Sequence, residues 1–210
     1  MVYVEPVGTG GSDRLTGHSH GGFVAQYHAL HRPDQLAGIV LYDSAPVTGG
    51  EHAAEVMCSV REFATRHTGH PELSSVLEAF AAIPSIGDDE AMLAAARGVL
   101  PASIADYWAD PQRWAPLGQS LRVTYVSGLD EHGVPDSVDD REPLRTLSEP
   151  ALVGAGRYDV VCGVRWAEEL HKLIPASRLV SLEHSGHFGH LEETERFADE
   201  VAAFVTADNT

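Results

Sequence analysis

Apolar and polar positions divide the chain into three stretches. In 1–48, strand-like and helix-like patterns alternate. Val2-Tyr3-Val4 reads as a strand, and a helix runs from Phe23 to His31 with Phe23, Tyr27 and Leu30 at i, i+4 and i+7. Arg32-Pro33 ends that helix, and Leu36 to Tyr42 forms an apolar strand closing at Asp43-Ser44-Ala45-Pro46. The stretch 49–148 is polar, rich in alanine and acids, and predicts helices over Glu55–Thr65, Pro71–Ile83 and Asp88–Leu100. Within it, Arg122–Ser127 fits a strand or part of a helix, and Asp136–Leu147 reads as a charged connector. In 149–210 the alternation returns: strand Ala151–Ala155, helix Val164–Leu173, strand Ser177–Leu182, and a terminal amphipathic helix Leu191–Thr206 carrying Phe197, Val201, Phe204 and Val205. Such alternation predicts the α/β class.

Composition narrows the function. The chain has 210 residues, 43% of them hydrophobic, enough for one globular domain with an insertion. Thirty-one acids against 14 bases give a net charge of −17, and Lys172 is the only lysine, so nucleic acid is not an expected partner. Met1–Glu5 has neither a basic start nor a long apolar run, and no later stretch suits a membrane, so a cytoplasmic, membrane-free protein is the expectation. Cys58 and Cys162 read as small packing residues without a disulfide framework. Gly8-Thr9-Gly10-Gly11 lacks the lysine a phosphate-binding loop needs, and no cofactor is implied.

The chemistry concentrates at Gly17-His18-Ser19-His20-Gly21-Gly22. A serine at a sharp strand-to-helix turn has strained backbone geometry, and glycine neighbours let the turn close and a substrate approach. A serine hydroxyl needs a base to take its proton, usually a histidine held by a carboxylate. Asp159 lies after the strand Ala151–Ala155 and His187 after the strand Ser177–Leu182, so serine, acid and histidine follow in order at strand ends. Asp159 also suits a turn or helix cap. His184 and His190 rival His187, and the three-residue spacing of all three invites a metal reading, but no carboxylate pattern supports it and no metal is expected. His18 and His20 read as pocket-lining, Asp13 as a turn residue and Glu5 as a strand end.

With Val4–Asp13, Gly17–Gly22, Gly156-Arg157-Tyr158-Asp159 and Ser185-Gly186-His187-Phe188, and with Glu192 and Phe197 in the last helix, the chain resembles the α/β-hydrolases, in particular the proline iminopeptidase-like branch and its esterase relatives. The resemblance implies a mainly parallel sheet flanked by helices, a core from 1–48 and 149–210, and a helical cap or lid from 49–148. It assigns Ser19 as nucleophile, Asp159 as orienting acid and His187 as general base. The His20 N–H would be one oxyanion donor, with His18 and Gly8 beside the pocket. The implied reaction is hydrolysis of an ester or amide in a small molecule or short peptide. In the aminopeptidase case, Glu62, Glu78 or Glu90 could hold a substrate ammonium. Relatives carry strands before Val2–Val4 and a second oxyanion donor that have no counterpart here, so the sheet is expected to be short at its N-terminal side. An uncovered edge leaves a homodimer open. The alternative is a shortened, weakly active or inactive relative serving in binding or assembly.

Overall fold

β2 (Gly38–Tyr42) is buried at every position because helices cover both its faces. The structure, a computed structural model, describes residues 14–129, 131–134 and 136–207. The expected strand Val2–Val4, the turn with Gly8, and Glu5 and Asp13 lie outside these residues. Among the described residues four strands, β1 (Arg14–His18), β2, β3 (Ala151–Gly156) and β4 (Ser177–Leu182), form one parallel sheet in chain order. Arg14 faces Gly38, Ile39 faces Ala151, and Ala151 faces Ser177.

Side chains alternate across the sheet with a period of two. Leu15, Ile39, Leu41, Ala151 and Val153 pack on one face against α1 (His20–His31), α6 (Arg141–Leu144) and α7 (Val164–Leu173). Val40 and Leu152 face the other way, onto Val201 and Phe204 of α9 (Thr194–Thr206). The helix after the serine occurs where its periodicity puts it, and Phe23 and Leu30 of its expected face pack against the core, but Tyr27 is 63% exposed, and the fully buried residues are Gly21, Gly22, Ala25, Gln26 and Ala29. Small residues win because the turn lays the helix close against the sheet. A Cβ on Gly17 would come within 2.2 Å of Gly21 O, and one on Gly22 within 2.2 Å of Ser44 Oγ.

Between β2 and β3 the chain runs through α2 (Gly50–Arg66), α3 (Leu73–Ala82), α4 (Asp89–Ser103) and α5 (Pro111–Ser120) before α6. Val60, Phe63, Val76, Phe80 and Ala102 form a core there that closes on Val160. Sequence periodicity missed α5, although Asp110-Pro111 announces it: Pro111 opens the helix and the Asp110 carboxylate accepts the Arg113 N–H at 3.3 Å. Arg122–Ser127 is neither strand nor helix, since among the described residues no strand pairs with it and the Tyr125 N–H is taken by Asp89 at 2.6 Å. The terminal helix is two pieces, α8 (Gly189–Glu192) and α9. Glu193 interrupts them because its carboxylate turns back to accept the His184 N–H at 2.8 Å and the Ser185 hydroxyl at 2.7 Å. Both cysteines are free, but only Cys162 is a packing residue; Cys58 is exposed on α2.

Candidate active site

The carboxyl ends of all four strands carry polar residues, as an open parallel sheet favours. β1 ends directly in Ser19, which adopts φ 55° and ψ −122°, a sparsely populated conformation for a residue with a side chain. The turn is over-determined: Ser19 N–H donates to Tyr42 O at 2.9 Å, Gly22 N–H returns to Ser19 O at 2.9 Å, and neither Gly17 nor Gly22 has room for a Cβ. Ser19 is half-buried with its hydroxyl free of the helix cap. His20 opens α1, so its N–H belongs to the first-turn groups with no acceptor inside the helix, while its side chain is exposed.

Asp159 and His187 come together. The His187 Nδ1–H donates to Asp159 Oδ2 at 2.9 Å, and both residues are buried. Burial alone would raise the Asp159 carboxyl, but the charge and hydrogen bond of His187 and the N–H groups of Val161 and Cys162 hold it below the usual carboxylate range. Committing Nδ1 to the acid leaves Nε2 as the basic nitrogen of the ring. Among the described residues no hydrogen bond joins Ser19 Oγ to His187, a gap commonly closed only when substrate binds.

His18 packs among these groups. Its Nε2–H donates to the His187 carbonyl at 2.7 Å, and its ring lies 4.7 Å from the His187 ring and 5.3 Å from those of Tyr42 and His190. Burial, with His187 close by, pushes its pKa down to about 3, so the ring is neutral. His184 is exposed and binds Glu193 through its backbone. Among the described residues, the group whose ligand atoms lie within 4.8 Å of one another is His18, Asp43 and His187, not the three-spaced histidines. Its two histidines already hydrogen-bond to protein.

Asp43, read from sequence only as a strand end, is fully buried at the mouth of β2 with φ 47°. The available signal was a carboxylate immediately after a fully apolar strand, where site residues gather. Glu192 was noted without a role. Its two oxygens accept the Ala105 N–H at 2.7 Å and the Gly186 N–H at 2.8 Å, and burial raises its pKa. Glu62, Glu78 and Glu90 are all exposed. A cleft of about 260 Å³ is lined by Ile104, Asp110, Arg113, Trp114, His184 and Glu192; Ser19, Asp159 and His187 do not line it. No helix among the described residues is long and apolar enough to cross a membrane.

Comparison with known proteins bears on the fold and the family. Residues 3–200 match the family model described as "Alpha/beta hydrolase family". Over 190 residues the chain is 28% identical to a pimeloyl-(acyl-carrier protein) methyl ester esterase of Vibrio vulnificus, covering 90% of this chain and 68% of the relative. A 92-residue segment is 29% identical to a proline iminopeptidase of Saccharolobus solfataricus, covering 42% of this chain and 29% of that protein. Among solved structures, a thermophilic esterase from Thermogutta terrifontis superposes with a TM-score of 0.64 at 23% identity, covering 97% of this chain and 68% of that one.

Proposed function

The chain belongs to the alpha/beta hydrolase family, and on that premise we propose that it is a serine hydrolase of small carboxylic esters, working through Ser19, His187 and Asp159. The observation that carries this reading is Ser19 strained at the end of β1 while a buried Asp159 fixes the neighbouring His187 by a 2.9 Å bond. Ser19 Oγ attacks the ester carbonyl as His187 Nε2 takes its proton. The tetrahedral oxyanion faces the N–H of His20 at the head of α1, where the helix dipole adds positive potential. Collapse breaks the bond to the leaving alkoxide, which receives the proton from His187. Water, deprotonated by the same nitrogen, then attacks the acyl group and releases the acid and free Ser19. Asp159 keeps the ring in the Nδ1–H tautomer and stabilises it while it carries the extra proton. Residues 49–148 serve as the cap over this machinery, and the core comprises 1–48 and 149–210.

An ester is preferred over an amino-terminal peptide substrate. The esterase match spans most of the chain and the iminopeptidase match less than half. The test is labelling by a fluorophosphonate probe beside turnover of short p-nitrophenyl esters and of proline p-nitroanilide. Labelling of the native chain, its loss in Ser19→Ala and ester turnover are expected. Labelling that persists in Ser19→Ala, or never occurs, rejects the serine mechanism and leaves the binding or assembly reading. Preference for the anilide rejects the esterase assignment.

A further inference from the structure

Asp43 is tied to β3 twice. Its N–H donates to Gly154 O at 2.9 Å, and its Oδ1 accepts the Gly156 N–H at 2.8 Å. Gly156 O in turn accepts the Asp159 N–H at 3.2 Å, so the two acids share one stretch of backbone, and both reach His187: Asp159 Oδ2 lies 2.9 Å from its Nδ1, and an Asp43 oxygen lies within 4.8 Å of a ring nitrogen. The second oxygen, Oδ2, is buried and has no hydrogen-bond partner among the described residues. Among the described residues the groups facing Asp43 are Tyr42 from its own strand, His18 from the end of β1, Asp159 and Cys162 from the loop after β3, and His187 from the loop after β4. None is a permanent cation. His18 Nε2 stands 3.8 Å from Oδ2 but spends its proton on the His187 carbonyl.

Two carboxylates side by side in a dry site cannot both stay ionised without a cation each. Among the described residues only His187 can become one, so the pair retains one proton. It resides on the carboxyl with fewer donors. Asp159 receives three N–H groups, from His187, Val161 and Cys162, whereas Asp43 receives the Gly156 N–H and faces the Tyr42 hydroxyl. We propose that Asp43 is a positioning residue, a neutral carboxylic acid whose Oδ2–H donates into Asp159 and so fixes the orienting acid beneath His187. Burial first, then the neighbouring Asp159, pushes the Asp43 carboxyl well above its ordinary range, in the same direction. The inference rests on the roles proposed above for Asp159 and His187. A donor on Asp159 spreads its negative charge and makes it a weaker partner for a protonated His187.

The experiment compares Asp43→Asn with Asp43→Ala through the pH dependence of Ser19 labelling by the fluorophosphonate probe. Asparagine retains an acceptor for Gly156 and an N–H for Asp159, so the acid limb is expected within about 0.3 pH unit of the native one. Alanine removes the donor and is expected to move the limb up by roughly half a unit or more. If Asp43 is instead ionised, asparagine removes a negative charge near His187 and the limb falls by about one unit or more, which overturns the proposal. Carbon-13 NMR of the native protein decides independently of variant folding and of catalysis: the Asp43 carboxyl carbon should hold the protonated shift through neutral pH, and a carboxylate shift there refutes the assignment. Absence of labelling in the native chain would reject the hydrolase reading, while the carbon-13 shift would still locate the proton.

Discussion

Replacing His18 by glutamine removes one ionisable ring from the site and leaves an amide N–H able to reach the His187 carbonyl. The native ring is 14% exposed and titrates at about 3 in the folded protein against 6.5 when free. Between those values the unfolded chain binds a proton that the folded chain refuses, so stability must fall as pH drops through this window. At pH 5 the unfolded imidazole is about 1.5 units below its own midpoint, which at ~1.4 kcal/mol per unit amounts to about 2 kcal/mol of stability lost relative to neutral pH. The figure is insensitive to the folded value, because pH 5 lies well above about 3. The assay is urea unfolding at pH 7 and pH 5 for the native chain and His18→Gln, taking the difference of differences. His52 and His190, whose pKa values are also lowered by burial, add acid sensitivity of the same sign. The raised Asp43 carboxyl opposes it, and all three contributions remain in both proteins. The native chain should lose about 2 kcal/mol more than His18→Gln on acidification. Parallel losses would refute the claim that His18 is buried neutral, and with it the ordering of the His187 loop by a neutral imidazole.

Asp159→Asn should retain the fold by circular dichroism and lower kcat on an ester by on the order of 10³–10⁴ through loss of the Nδ1–H tautomer. Gly17→Ala forces a Cβ to 2.2 Å from Gly21 O and should cost about 3 kcal/mol in chemical unfolding and abolish probe labelling even in the folded fraction. Arg141 holds Glu51, Asp139 and Glu169 at 2.7, 3.1 and 2.6 Å at the surface. Arg141→Ala should therefore cost about 1 kcal/mol at low salt and distinctly less at high salt, measured by thermal unfolding.

Much of the fold was readable because local pattern and burial agree. α7 and β4 occupy the residues their periodicities mark, and the apolar run to Tyr42 is a strand because both faces of β2 are covered. Ser19, Asp159 and His187 were readable as candidates because strand ends and glycine turns leave a local signature. What stayed hidden depends on distant partners. Tyr27 satisfied a helical period yet points outward, since the glycines of the turn decide which face of α1 meets the sheet. Glu193 divides the last helix only because the main chain at His184 needs an acceptor nine residues earlier. Asp43 and His18 gain their surroundings from residues more than a hundred positions away, His187 and Gly156, and no spacing rule reaches that far.

The end of α4 is sewn to the loop that carries His187. Ser103 O accepts the His187 N–H at 2.7 Å, a Cβ on Gly186 would lie 2.5 Å from that same oxygen, and Ala105 N–H reaches Glu192 at 2.7 Å. From residues 103–105 these stitches use only main-chain atoms, so substitution there can leave them intact while a change of backbone path cannot. For recombination between relatives, the workable crossover points therefore lie on the N-terminal side of Ser103 or beyond Ala105. An exchange of the helices before Ser103 keeps the histidine registered, whereas a one-residue insertion between 103 and 105 would displace it however conservative the side chains. The constraint is one of chain length and path, and it leaves no trace in residue identity.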